Sequence, residues 1–118
     1  MKREVKFRYV LKNIHTGEIH FKWYDLKSIE RAGLSILFDV ENYTILSRDR
    51  FTGLKDNNGI DIYEGDVLEN PQGKKGIVIF MEGKFCLESK RRNNSIWFMP
   101  LDIGFMKNKE IIGNLHQK

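Results

Sequence analysis

Polar and apolar residues alternate from the start of the chain. Between Glu4 and Lys12, the side chains of Val5, Phe7, Tyr9 and Leu11 fall on one side of an extended backbone. Lys6, Arg8 and Lys12 fall on the other, and Val10 is the exception. Asn13 to Gly17 carries turn residues. Glu18 to Tyr24 then repeats the pattern, with Ile19, Phe21 and Trp23 set against His20 and Lys22. Two such runs joined by a short polar turn predict a β-hairpin. Its apolar side holds more aromatic surface than an isolated hairpin can leave in water, so it must pack on something.

The alternation breaks at Asp25, whose carboxylate can cap a short helix running to about Ala32, with Leu26 and Ile29 on one side and Gly33 as its stop. The apolar run Leu34 to Val40 predicts extended chain, with continuation of the helix as the alternative. Tyr43 to Phe51 reads as a strand. It enters the most densely punctuated stretch of the sequence, Phe51-Thr-Gly-Leu-Lys-Asp-Asn-Asn-Gly-Ile-Asp-Ile-Tyr-Glu-Gly-Asp-Val-Leu68. Within it Asn58-Gly59 has the chemistry of a two-residue hairpin turn, Glu64-Gly65-Asp66 forms a second turn, and Gly53 and Gly65 suit changes of direction. Beyond Leu68, the loop Glu69 to Gly76 precedes a strand at Ile77 to Met81, apolar enough for burial on both faces. Glu82-Gly83 turns that strand into Phe85 to Lys90. Arg91 to Ser95 is an exposed loop, Ile96 to Met99 a strand, and Glu110 to Leu115 the last strand.

Short strands separated by turn signals from about Leu54 onward are what a small closed or nearly closed barrel requires. The chain of 118 residues is long enough to bury a core without disulfides or metal. It divides into residues 1–50, a hairpin with its connecting segment, and residues 51–118, the barrel, together expected to form one compact unit. The fold class expected is therefore mainly β, an N-terminal β-hairpin packed on a small C-terminal barrel, with at most one short helix.

The central stretch Phe51–Leu68 resembles the signature of the YopX family of phage and prophage proteins. Glu110-Ile-Ile-Gly-Asn-Leu-His-Gln117 resembles that family's closing motif, and Glu4-Val-Lys-Phe-Arg8 its opening. The likeness is least in the loops and over residues 25–45. The resemblance implies a mainly β fold with an SH3-like barrel in the second half, and a phage or prophage origin. It supplies no established activity and no catalytic residues. The order Glu-Gly-Asp-Val-Leu, Gly-Lys-Lys-Gly, Ile-Val-Ile-Phe is also similar to the openings of SH3-like barrels, a likeness of fold that assigns no function.

Candidate chemistry is sparse. His15, His20 and His116 have no cysteine, histidine or carboxylate at metal-ligand spacing, so no metal site is expected. Asp56, Asn58, Asp61, Glu64 and Asp66 form an acidic cluster, but Gly59 stands at its fourth position where a calcium loop needs its glycine at the sixth. Turn formation accounts for these residues better. Cys86, the one cysteine, lies between Phe85 and Leu87 with no base nearby in sequence, and reads as a small strand residue. No glycine-rich phosphate loop opens a helix, and Gly73-Lys-Lys-Gly76 is a charged turn. No cofactor and no catalytic residue are expected.

The net charge of +4 is a mild basic excess. Lys6, Arg8, Lys12, His20 and Lys22 are expected to share the outward face of the hairpin. Lys74, Lys75, Lys84, Lys90, Arg91 and Arg92 populate loops of the barrel. Together these make a candidate phosphate-binding surface, the ordinary role of solvated charges being the alternative. Met1-Lys-Arg-Glu leads into alternation and not into an apolar leader, and the single cysteine fits a reducing compartment, so the bacterial host cytoplasm is the expected location and no membrane association is expected. The leading expectation is a non-enzymatic accessory protein acting as a protein-interaction or self-associating module. The alternative is a nucleic-acid-binding module.

Overall fold

The computed structural model describes residues 5–33, 37–101 and 109–116. Its described strands are β1 (Lys6–Asn13), β2 (Ile19–Asp25), β3 (Tyr43–Lys55), β4 (Asp61–Tyr63), β5 (Asp66–Glu69), β6 (Lys75–Met81), β7 (Lys84–Lys90), β8 (Ile96–Pro100) and β9 (Glu110–Asn114), and α1 (Leu26–Ala32) is a helix. The strands form two sheets, in the orders β2-β1-β3-β4 and β8-β7-β6-β5-β9. The chain resolves into two compact units, Met1–Phe51 and Thr52–Lys118, with β3 running through the boundary. The fold is mainly β, as expected. Neither sheet closes on itself among the described residues, because β8 and β9 stand at opposite edges of theirs.

In the first unit the expected hairpin forms, but β1 is its inner strand. It pairs antiparallel with β2 on one side and β3 on the other, and Arg8, Tyr9, Val10 and Leu11 are all buried. Residues directly opposite in an antiparallel pair lie on the same face. The register Arg8↔Trp23, Tyr9↔Lys22, Val10↔Phe21, Leu11↔His20 therefore sets the apolar side of β1 level with the polar side of β2. Arg8 cannot reach water from this position. Its Nε and Nη2 donate to Asp49 Oδ2 at 2.9 and 2.7 Å, and Asp49 also accepts from the Ser47 hydroxyl. The pairing Arg8↔Asp49 across β1 and β3 makes this contact geometrically direct. On the other face the Tyr24 ring meets Tyr9 edge-on at 5.5 Å, and its hydroxyl donates to the Leu37 carbonyl.

Helix α1 has the ends its sequence signals. Asp25 accepts from the Ser28 N–H at the N-cap, which holds its carboxyl below the ordinary range, and Gly33 closes the C-terminus at φ 78°. Of the run Leu34–Val40, residues 34–36 lie outside the described residues. Leu37 is helical, and residues 38–42 form a bend and a turn and not a strand, because Asp39 accepts from the N–H groups of Glu41 and Asn42 and so folds the chain tightly before β3.

The second unit is centred on Ile62, Leu68, Val78 and Leu87, with Leu54, Phe85, Leu101 and Ile111 packed around them. On β6 Gly76 and Val78, which share a face, are buried, whereas Phe80 further along that face is exposed and Ile77 and Ile79 on the other are half-buried, so its apolar run does not mark a strand covered on both sides. Gly53 lies within β3, not at a reversal. The turn at Asn58-Gly59 also departs from expectation. Asp56 N–H donates to the Ile60 carbonyl and Gly59 N–H to the Asp56 carbonyl, so Asn57–Gly59 is a three-residue connection in which Gly59 alone takes positive φ. The Asp56 carboxylate selects this shape. One oxygen accepts from Asn58 and Ile60 N–H, and the other accepts from Ile111 N–H, tying the turn to β9. The two-residue turn with positive φ at both positions is instead Glu82-Gly83, between β6 and β7, where φ is 52° and 81°.

Three outcomes follow from these contacts. Arg8→Met alone should destabilise the protein by about 3–5 kcal/mol in urea unfolding, because it strands a buried carboxylate, whereas Arg8→Met with Asp49→Leu should recover most of that loss. A Cβ at Gly76 would lie 2.6 Å from Leu87 Cγ, and Leu87 is core, so Gly76→Ala should cost about 1–3 kcal/mol. In a Leu87→Ala background it should cost much less, a non-additivity that a double-mutant cycle measures. Glu82→Asn should raise the melting temperature with a gain of up to about 1 kcal/mol, since asparagine adopts the left-handed conformation more readily than glutamate.

Candidate functional site

The basic residues singled out in the hairpin do not share one face. In the hairpin, Lys6, Arg8 and Lys12 lie opposite Asp25, Trp23 and Ile19 and share their face. His20 and Lys22 lie opposite Leu11 and Tyr9 and share the other. The expectation of a single outward basic face fails because β1 and β2 pair with their alternations out of phase. Arg8, moreover, is only 5% exposed and ion-paired. Lys6 Nζ sits 4.4 Å from the centre of the Phe51 ring. His20 stands edge-on to Tyr43.

In the second unit the outcome is different. The β6–β7 register Ile77↔Glu88, continued by two residues, sets Lys75 beside Lys90, and Lys90 pairs with Ile96 on β8. The Ser89 hydroxyl donates to the Lys75 carbonyl at 2.6 Å, which fixes the start of β6 against the end of β7. Lys74, Lys75, Lys90, Arg91 and Arg92 are thereby gathered at one end of the five-stranded sheet, all exposed. Lys84 lies at the opposite end, beside the Glu82-Gly83 turn. Among the described residues, the ion pair these five make is a long one, Lys75 Nζ to Glu69 Oε2 at 3.9 Å on the surface, which offsets little of their charge.

The two loops that carry this charge are each shaped by one asparagine. Asn70 Oδ1 accepts from Gln72 and Lys74 N–H, while Asn70 N–H donates to the Lys74 carbonyl. Asn93 Oδ1 accepts from the N–H and the hydroxyl of Ser95, and Arg91 N–H donates to the Ser95 carbonyl. Side-chain-to-backbone bonds of this kind hold a loop without burying it. Beside them is an aromatic that the sequence left unassigned. Trp97, opposite Ser89 on the edge strand β8, is 44% exposed, and the Arg91 guanidinium lies over its ring, 3.1 Å from the centroid. Its neighbours Ile96 and Phe98 are exposed as well. The Arg-Arg-Asn-Asn-Ser-Ile-Trp spacing held the signal: an asparagine turn that brings the first arginine back over the tryptophan.

The remaining candidate residues have structural employment. Asp56 and Asp66 are buried and accept from backbone N–H groups, Asp66 from Tyr63, and Asp61 pairs with Lys55 at 2.6 Å. Turn chemistry is what the acidic cluster does. Among the described residues, no three His, Cys, Asp or Glu side chains are grouped so as to hold a metal ion. Cys86 is a buried free thiol facing β6 and β8 neighbours. Among the described residues, no helix is long and apolar enough to cross a membrane.

No curated protein matches the chain. The model of the YopX protein family matches residues 27–118. That span contains the central stretch Phe51–Leu68 and the closing Glu110–Gln117. It also takes in most of residues 25–45, where the sequence shows least likeness, and leaves Glu4–Arg8 outside. Covered over most of its length by that family's model, the chain belongs to the YopX family.

Proposed function

We propose that this protein is a non-enzymatic phage or prophage accessory protein of the host cytoplasm that works by binding, and first of all by pairing with its own copy. On this reading the second unit is a small SH3-like barrel. Its strand order supports that, since β9, last in sequence, lies beside β5, and β6, β7 and β8 follow as a meander.

The observation that carries the self-association is the outer edge of β2. Asn13 N–H donates to the Glu18 carbonyl and Leu26 N–H to the Val5 carbonyl, which fixes which residues of β2 bond to β1. By the two-residue alternation of an antiparallel ladder, His20, Lys22 and Tyr24 turn their backbone groups toward β1. Ile19, Phe21, Trp23 and Asp25 turn theirs outward. Among the described residues nothing pairs with that edge. The same residues place Ile19, Phe21 and Trp23 on one face, and Trp23 is 58% exposed. A two-fold axis that sets β2 against β2 meets outward groups with outward groups and aromatic rings with aromatic rings. An isologous contact asks for that self-complementarity.

Light scattering coupled to size exclusion should show the mass rising from monomer toward dimer across the micromolar range. Trp23→Lys, a change at an exposed site, should move that transition to at least tenfold higher concentration without altering the circular dichroism spectrum. A wild-type protein that stays strictly monomeric up to about 100 µM would refute the pairing.

A further inference from the structure

The basic end of the second unit is built from other residues than the β2 edge, and the inference drawn from it does not rest on the pairing of that edge. We infer that Lys74, Lys75, Lys90, Arg91, Arg92 and Trp97 form a binding site for single-stranded nucleic acid.

Charge is the first ground. Five cations project from the ends of β6 and β7 and from the loops beside them. Neighbouring strands are about 4.8 Å apart, so the row Lys75, Lys90 and Ile96 spans roughly 10 Å across the sheet. The two asparagine-built loops hold Lys74 and the two arginines around that row. A short, positively charged track of this kind follows successive phosphates of a flexible strand, and each phosphate it neutralises releases counterions.

The second ground is the aromatic. Trp97 is exposed on an edge strand with the Arg91 guanidinium over its ring, so a planar cation and an indole are presented together beside the cationic track. Such a pair offers a stacking surface to a base, and a base offers its face only when it is not stacked and paired within a duplex. Among the described residues the site is built of loops and strand ends, and no helix contributes to it. An acidic peptide would satisfy the charge but, unlike a base, its carboxylates would lay no aromatic face against the stacked pair of Arg91 and Trp97. The chemistry therefore favours a single strand over a duplex or a peptide.

The test uses the full chain and a fluorescein-labelled oligothymidylate of about 20 nucleotides, a length that covers a small β-barrel site. Anisotropy should report binding at about 50 mM salt that weakens steeply by about 200 mM, with a log–log slope near −3 for four to five neutralised phosphates. Arg91→Glu, which reverses one charge and removes the cation over Trp97, should weaken binding more than tenfold. Lys84→Glu, at the other end of the sheet, should leave it within about twofold; the comparison separates a local site from net charge. Binding should quench tryptophan emission, and Trp97→Phe should abolish that quench while weakening affinity by less than Trp97→Ala, which should cost about tenfold. Melting curves matched to the wild type confirm that each variant is folded. Absence of binding at the lower salt overturns the assignment. So does equal weakening by Lys84→Glu, equal affinity for a duplex of the same length, competition by polyglutamate as effective as that by unlabelled oligonucleotide, or no change in Trp97 emission on binding.

Discussion

In an antiparallel sheet a residue shares its face with the one opposite, and this parity rule governs most of what is distinctive in this protein. Alternation within one strand says which side chains go together along that strand. It does not say which side of the next strand they will meet. In the first unit the two alternations meet out of phase, so the basic side of β1 faces the same way as the aromatic side of β2. With β3 pairing on its other edge, β1 becomes a central strand, and a charge on a central strand needs a partner within the sheet. Asp49, opposite on β3, is that partner. One register thus turns a residue that looks like a surface cation into a buried structural one.

Where local chemistry alone decides the structure, the sequence was a good guide. Asp25 and Gly33 bound the helix at the positions their side chains and backbone freedom suggest. The hairpin, the last strand and the mainly β character follow from alternation and turn residues. Where a competing side chain intervenes, the guide fails. Asn58-Gly59 has the composition of a two-residue turn, but the Asp56 carboxylate captures two N–H groups of the connection and enlarges it. Glu82-Gly83 adopts the tight turn although glutamate does not advertise positive φ; the register of β6 and β7 imposes it.

The candidate site was legible in its ingredients and not in its assembly. Each lysine and arginine of the sheet end can be picked out by type, as can those of the hairpin, and nothing in the composition ranks one group above the other. What separates them is sheet register, a long-range property. It divides the hairpin residues between two faces and lines up Lys75 with Lys90. Trp97 gains its role only through the Asn93 turn that returns Arg91 to it.

The bond from Ile111 N–H to Asp56, together with the β5–β9 pairing, joins the beginning and the end of the second unit. A ribosome emits these partners far apart in time. Until β9 has left the exit tunnel, β5 lacks a neighbour on one side and Asp56 lacks one of its donors, so the nascent second unit must wait with an open flank. That delay gives chaperones a window on this chain and makes its folding a closing of distant ends, not a growth outward from a local seed.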